Sequence, residues 1–445
     1  MTSDYRKRID APRWSQLLAF SSPVFGFTGQ EVAFKVFLPL YFSQIGRFSL
    51  SQIALLLLFF RVWDTLNDPM IGWLSDHWRW GHRRFVPMLI GTPVALGGAT
   101  LILLAPSALS LVGMGVALFI TALGWTLVNV PHGAWALEFS ANPAGRTRVF
   151  GSRQLVGSMA LPLFVLGPSV MAQLYGSNSY RDAIMFDVLM IVSLPLGLIW
   201  LSAKVPLTPQ KSAPAHMALS GKIMIAAFIS RQSLFLLALF ACLGISAAVK
   251  DGLILFWVQY SLDLPAWGWS VVLLQSLLNA ASVPLWVRLQ ARLGTMRALQ
   301  ASLGATALAA TSVFFISPHS LLGLLGYVLI NGSVTGSSFM LLRALLGDYF
   351  DEVTNRFGTN LAGTLYTGFH LAYNLAVAIA APASLEILAM SGFHTQVPNV
   401  NTPYLGSPLV WVVGLGSSLP LMIALSLLSL KMRDQRNDDI RTFVF

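Results

Sequence analysis

Apolar runs, each about as long as a bilayer crossing, alternate along this chain with short polar segments. A helix needs roughly 20 mostly apolar residues to span the hydrocarbon core. Twelve runs meet that length: 17–44, 50–74, 86–105, 109–137, 152–174, 184–203, 232–261, 267–287, 297–316, 320–342, 359–390 and 407–430. Several exceed it, which predicts tilt or extension beyond the lipid. The longest connection, VPLTPQKSAPAHMALSGKIMIAAFIS over 205–230, divides the runs six and six. The pattern predicts an N-terminal six-helix bundle over 1–204, a central loop over 205–230, and a second six-helix bundle over 231–445 that ends in a short tail.

Composition supports the same class. Hydrophobic residues make up 55% of the chain and charged residues 10%, with a mean hydropathy of +0.68. Soluble domains carry about 25% charged residues, so the chain is expected to be an all-α integral membrane protein. The first run lacks a small-residue cleavage site and follows Arg6, Lys7, Arg8 and Arg13, which predicts a retained span rather than a signal peptide. Cys242 is the sole cysteine, which excludes a disulfide framework and a cysteine metal site.

Placing the charges accounts for the net +10. With the N-terminus in the cytoplasm, all but five of the 28 lysines and arginines fall in cytoplasmic segments. The five are Lys35, Arg61 and Lys250 within runs, and Arg47 and Arg181 in external loops. Such a bias is the positive-inside asymmetry. It predicts an inner-membrane protein with both termini cytoplasmic, and the basic balance then needs no nucleic-acid partner.

The two halves echo each other. Asp64 precedes Pro69 by five residues and a basic loop follows; Asn279 precedes Pro284 by five, again before a basic loop. Internal repeats of this kind mark secondary transporters, whose solute site lies near the midplane between repeats. The sequence has neither a GxxxxGK[ST] phosphate loop nor an HExxH zinc motif. Energy for uphill transport must therefore come from an ion gradient or a separate subunit. No activated nucleophile or metal cluster is apparent within the runs, so the chain is not expected to be an enzyme.

The most informative stretch is RVWDTLNDPMIGWLSD, residues 61–76. Asp64 and Asp68 are one turn apart, about 6 Å along the helix axis and on one face. Arg61 shares that stripe. Asp68 lies eight residues before Asp76, roughly 12 Å into the membrane. Each ionised carboxylate at that depth costs on the order of 2.5–3.5 kcal/mol, and such residues usually mark an ion path. One arginine can neutralise one aspartate and leave the other for a cation or proton. Pro69 breaks the amide ladder beside Asp68.

Two resemblances arise at these residues. Gly72-Trp-Leu-Ser-Asp76 followed by Gly81-His-Arg83-Arg84 resembles the cytoplasmic loop signature of the major facilitator superfamily. R-x-W-D-x-x-x-D-P before G-W-L-S-D resembles the second helix of the glycoside–pentoside–hexuronide:cation symporters, the melibiose-permease branch of that superfamily. Asn129-Val-Pro131 with Ala136-Leu137-Glu138 is similar to that family's fourth helix, and Gly145–Arg153 to its loop 4–5. Asp348 through Gly363 and on to Asn374 follow the spacing of its loop 10–11 and eleventh helix. The resemblance implies the major facilitator fold, twelve helices in two pseudo-symmetric six-helix bundles. It also implies that Asp64 and Asp68 bind the coupling ion, Na+ or H+, and that Arg153 lines the solute cavity. Three departures stand out. Asn129 sits where the melibiose branch often has an acid, Asn374 where many members carry lysine, and the acidic residue of the first helix has only Glu31 nearby.

The remaining intramembrane polar residues complete the candidate set. Glu31 and Lys35 are four apart in the order that favours pairing on one helix. Lys250 and Asp251 are adjacent and point about 100° apart, which predicts that they do not simply pair and that at least one has a partner on another helix. His370 and Asn374 share a face, and His132 follows Asn129 by three. Histidine titrates near neutral pH, which makes both histidines candidate proton carriers. Asn129 cannot ionise, which favours a proton over sodium. Trp125, His132, Tyr366 and His370 are candidate cavity residues alongside Glu31, Lys35, Arg61, Arg153, Lys250, Asp251 and Asn374. Asp76, Arg83, Arg84, Glu138 and Arg146, with Arg148, are expected to form a cytoplasmic gate. The reading is a monomeric symporter of a small sugar or glycoside in membrane lipid, without a cofactor beyond H+ or Na+. A carrier of lysolipids, an uncoupled facilitator and a non-transporting sensor are the alternatives.

Overall fold

The computed structural model describes residues 12–32, 38, 41–42, 49–78, 80–140, 142–176, 179–207, 221–393 and 404–443. Lys35 and Arg79 lie outside the described residues, as do the side chains of Arg61 and Asp64. The described residues contain no strand. The first eight helices are α1 Trp14–Ser21, α2 Pro23–Val32, α3 Leu50–His77, α4 Phe85–Leu104, α5 Leu111–Glu138, α6 Pro143–Tyr175, α7 Ser179–Lys204 and α8 Gly221–Ile229. They are followed by α9 Arg231–Phe256, α10 Gly268–Leu293, α11 Thr295–Ser312, α12 Leu321–Phe357, α13 Ala362–Met390 and α14 Pro408–Phe443.

Among the described residues, ten helical segments are long and apolar enough to cross a membrane, beginning at Phe85–Leu104 and ending at Pro408–Asp434. They coincide with the third to twelfth apolar runs. The 28-residue α3 covers the second run and continues through Pro69.

Helix starts follow local capping chemistry rather than hydropathy, and this corrects several boundaries. The loop expected before residue 152 is already helical from Pro143. The Asn142 side chain accepts from Gly145 N at 2.5 Å, and proline occupies the first helical position, where its missing amide costs nothing. Arg146 and Arg148 are therefore helical. Ser49 and Gln52 form a reciprocal capping box at the start of α3, and Ser230 caps α9 through Ser233 N at 3.1 Å. The central connection is not entirely loop, since α8 lies within it. Both α12 and α14 extend well past the apolar runs that nucleate them.

The chain forms two compact units. The first comprises residues 1–223 together with 350–368, and the second residues 224–349 and 369–445. The first packs Phe42, Ile102, Phe164, Phe186 and Met190 into its core. There α4 and α5 approach closely through small residues: a Cβ at Gly124 would collide with the backbone of Ala95, and one at Gly98 with Thr121. Without a hydrophobic drive between helices in lipid, such close packing holds membrane bundles together. The second unit is built around the fully buried Trp257, with Val258, Leu262, Leu324 and Tyr327. Trp257 Nε1 donates to Tyr404 Oη at 3.0 Å, and Tyr404 donates to the Val313 carbonyl at 2.6 Å.

Candidate gate and coupling site

The densest polar cluster of the first unit lies where α3, α4 and α5 end or begin. Arg84, fully buried, precedes the first residue of α4. Its Nη2 stands 2.7 Å from Asp76 Oδ1 and 2.7 Å from Glu138 Oε1, its Nε 3.2 Å from Glu138 Oε2, and its Nη1 donates to Ser75 Oγ at 2.6 Å. Arg83 Nη2 reaches Glu138 Oε1 at 2.5 Å. Two guanidiniums thus face two carboxylates, with every member buried. Burial by itself lowers the Arg84 pKa, but the carboxylates of Glu138 and Asp76 outweigh it and hold that group above its ordinary value.

Asp76 also caps a helix. Its oxygens accept from Gly363 N at 2.8 Å, Thr364 N at 2.7 Å and Thr364 Oγ1 at 2.8 Å, all in the first turn of α13. A carboxylate there satisfies orphan amides and complements the helix dipole. A Cβ at Gly72 would stand 2.7 Å from the Gly363 carbonyl, so the motif glycine lets α3 approach the residues Asp76 binds. Asn360 adds a side-chain hydrogen bond to Glu138.

Of the expected gate set, Asp76, Arg83, Arg84 and Glu138 come together, and Arg146 and Arg148 do not join them. Arg146 does not join Glu138; its guanidinium pairs with Asp351, because α6 begins early and carries Arg146 on its first turn. Arg148 lies over the Trp14 ring, 5.3 Å from its centroid. Sequence reasoning missed Asp351, Ser75, Asn360 and Thr364, although Asp351 and Asn360 fall inside the Asp348–Gly363 segment whose spacing it used.

His82, in the connection between α3 and α4, packs against Trp135 with centroids 4.5 Å apart, and its Nδ1 accepts from Phe85 N at 3.1 Å. Its imidazole is pushed down to about 4, chiefly by burial; Glu138 opposes this and Arg83 and Arg84 reinforce it. The unfolded chain binds this proton near 6.5, so between the two values the unfolded state holds more protons. Stability from this group is complete above pH 6.5 and is lost as pH falls to about 4, by roughly 3 kcal/mol. Thermal melts across that range should show the loss in the wild type and a shallower slope in His82→Gln. Identical slopes would remove His82 from the account.

Deeper in the same unit, Asp68 on α3 is half-buried, and Thr126 Oγ1 on α5 donates to its Oδ1 at 3.3 Å. Asn129 stands one turn beyond Thr126, half-buried. The neighbouring Asn67 Nδ2 reaches the Ala122 carbonyl at 3.4 Å, and Trp63 stacks on Phe119 with centroids 4.1 Å apart. His132 has both ring nitrogens engaged: Nε2 bonds the Phe20 carbonyl at 2.7 Å and Nδ1 meets the Arg153 guanidinium. Its ring stacks on Phe20. Trp125 approaches Phe27, and Tyr366 is buried with its ring over Gly133. Glu31 is exposed on α2. A buried acid that sequence reasoning passed over, Asp187 on α7, accepts from Thr100 Oγ1 at 2.9 Å.

The second unit holds the remaining candidates. Lys250 Nζ lies 3.4 Å from Asp251 Oδ1 and donates to Thr335 Oγ1 at 3.1 Å. The expected partner on another helix is present, since Thr335 lies on α12, but the expectation that the two neighbours do not simply pair is corrected: the four-carbon lysine stem curls back across the angle that separates the two Cβ directions. His370 lies parallel to Tyr373 with centroids 5.9 Å apart, and Tyr373 tilts against Phe339 at 4.8 Å. The Arg343 guanidinium covers Phe339 at 4.0 Å, so an arginine counted only as loop charge belongs to an aromatic group on α12 and α13. Asn374 is half-buried one turn beyond His370.

The model of the MFS/sugar transport protein family matches residues 19–430. The chain belongs to that family. Among similar proteins are the "Glucuronide carrier protein homolog" of Escherichia coli (strain K12) and the "Uncharacterized symporter YjmB" of Bacillus subtilis (strain 168). The first is 25% identical over 409 residues, 87% of this chain and 86% of that protein. The second is 24% identical over 388 residues, 82% of this chain and 80% of that protein. The glycoside–pentoside–hexuronide likeness first seen at Asp64 and Asp68 therefore extends along most of the chain. Solved structures agree on the fold. The fucose transporter FucP in its outward conformation superposes with a TM-score of 0.69 at 14% identity, covering 93% of this chain and 98% of that one. A bacterial homologue of the iron transporter ferroportin gives 0.68 at 14% identity over 94% and 100%. This major facilitator protein is a multi-pass membrane transporter, not an enzyme.

Proposed function

We propose that this chain is a symporter that uses an inward cation gradient to carry a glycoside or related sugar, working by alternating access in the inner membrane as a monomer with both termini cytoplasmic. The observation that carries the reading is Asp68, a carboxylate placed by register well inside a membrane span and hydrogen-bonded by Thr126. Together with Asp64 and Asn129 it supplies oxygen ligands for an ion. The neutral Asn129, where related symporters often hold an acid, favours a proton over sodium. Family membership and the likeness to a glucuronide carrier homologue support a sugar-class solute. Arg153, Trp125 and Tyr366 of the first unit are proposed to meet it.

The ionic cluster supplies the gate in this reading. Asp76 binds the first turn of α13, and Arg146 binds Asp351, so opening the cytoplasmic side requires residues 351–364 to leave both partners. Ion and solute can drive that change only through their differential affinity for the two states. The test is uptake of a labelled glucuronide into proteoliposomes under an imposed pH gradient, then a sodium gradient, then neither. Accumulation above equilibrium with the pH gradient, abolished by a protonophore, is expected. Equilibration at the same rate in all three conditions would exclude coupling.

A further inference from the structure

An apolar trough opens on the first unit between α1, α6 and α7, and its shape follows from a helix break. The Ser22 hydroxyl, between α1 and α2, lies 2.8 Å from the Ala19 carbonyl and 2.9 Å from that of Gly197 on α7. A Cβ at Gly197 would stand 2.9 Å from Pro23 N, so the glycine lets α7 press against the break. The space left beside this crossing, about 660 Å³, is walled mainly by Leu18, Phe25, Val156, Leu196, Ile199 and Trp200. Leu196 and Ile199 are 58% and 62% exposed. On membrane-spanning helices that exposure faces hydrocarbon rather than water.

Two basic residues are tied to the trough's lining residues through their neighbours. Trp14 precedes the lining residue Leu18 by one helical turn, and Arg148 covers the Trp14 ring at 5.3 Å. Lys204, exposed, directly follows the lining residue Ala203 and closes α7. Among the described residues neither Arg148 nor Lys204 is paired with a carboxylate. Arg148 was expected in the gate; it lies over Trp14 instead.

We propose that the trough holds one acyl chain of an anionic phospholipid whose phosphate rests against Arg148 and Lys204. The apolar wall accounts for the chain, and the two cations, without a carboxylate partner among the described residues, account for a headgroup with net negative charge. A zwitterionic lipid would gain the wall but little from the cations, and a free anion would gain the cations without the wall. Trp14 and Trp200 suit the interfacial depth at which tryptophan is enriched. Basic sites between transmembrane helices bind anionic headgroups in this way, and two cations near the surface give roughly a thirty-fold preference.

The test is native mass spectrometry of the delipidated full chain, titrated with phosphatidylglycerol, phosphatidylcholine or inorganic phosphate. The wild type should retain phosphatidylglycerol about thirty-fold more strongly than phosphatidylcholine. Arg148→Gln with Lys204→Gln should bring the ratio near one, and Lys204→Gln alone, at an exposed position, should bring it part of the way. Ala203→Trp, which intrudes on the trough, should weaken retention of both lipids. Equal retention by the wild type, a preference that survives the double variant, or retention of inorganic phosphate matching that of phosphatidylglycerol would overturn the proposal.

Discussion

Glu138→Gln lowers the stability of this transporter by about 3–5 kcal/mol, the cost of removing one partner from a buried ionic group. The substitution keeps the shape of the side chain and removes only its charge. Arg83 and Arg84 then remain buried after losing the carboxylate they share, and Asp76, which also faces Arg84, already serves the first turn of α13. An exposed ion pair would be worth about 0–1 kcal/mol, so the size of the effect distinguishes a buried network from a surface one. Thermal unfolding in detergent measures it. Arg83→Gln combined with Glu138→Gln restores one cation facing one anion and should recover part of the loss, a coupling that a double-mutant cycle reads directly. A melting temperature for Glu138→Gln within a degree or two of wild type would mean the network is not held as described.

What the sequence revealed and what it concealed divide by the range of the interaction. Helices such as Leu111–Glu138 were legible because one continuous apolar run sets both their existence and length. The start of α6 was hidden from hydropathy, since Asn142 and Pro143 fix it by capping, outside the apolar run. The cluster of Asp76, Arg84 and Glu138 could be anticipated because the loop signature places the first two close in sequence. The pairing of Arg146 with Asp351 spans 205 positions and has no local trace. Lys250 with Asp251 failed for the opposite reason: reasoning from Cβ directions ignored the reach of a long side chain. Asp187 escaped notice because a lone acid with a threonine partner on another helix forms no motif. The motif on α3 singled out Asp64 and Asp68 as candidates, while the hydroxyl of Thr126 against Asp68 emerged only once α3 and α5 were packed together.

That hydroxyl frames the prediction that bears most on transport. Asp68→Asn should abolish accumulation of solute against its gradient while leaving exchange at equal concentrations intact. Asparagine keeps the size of aspartate but cannot ionise, so the site loses the charge that would hold a proton or a sodium ion. Linked sites typically change each other's affinity by about 5–150-fold, and by the same factor in both directions. In the variant, solute affinity measured with and without the cation gradient's ion should therefore converge to a single value. Thr126→Val removes only the neighbouring donor at 3.3 Å, and should weaken the cation dependence rather than erase it. The asymmetry between the two variants follows from their physics: one deletes the charge proposed to bind the ion, the other a single hydrogen-bond donor beside it. If Asp68→Asn still concentrates solute under a pH or sodium gradient, the coupling charge lies elsewhere. Asp187, buried against Thr100, would be the next carboxylate to replace.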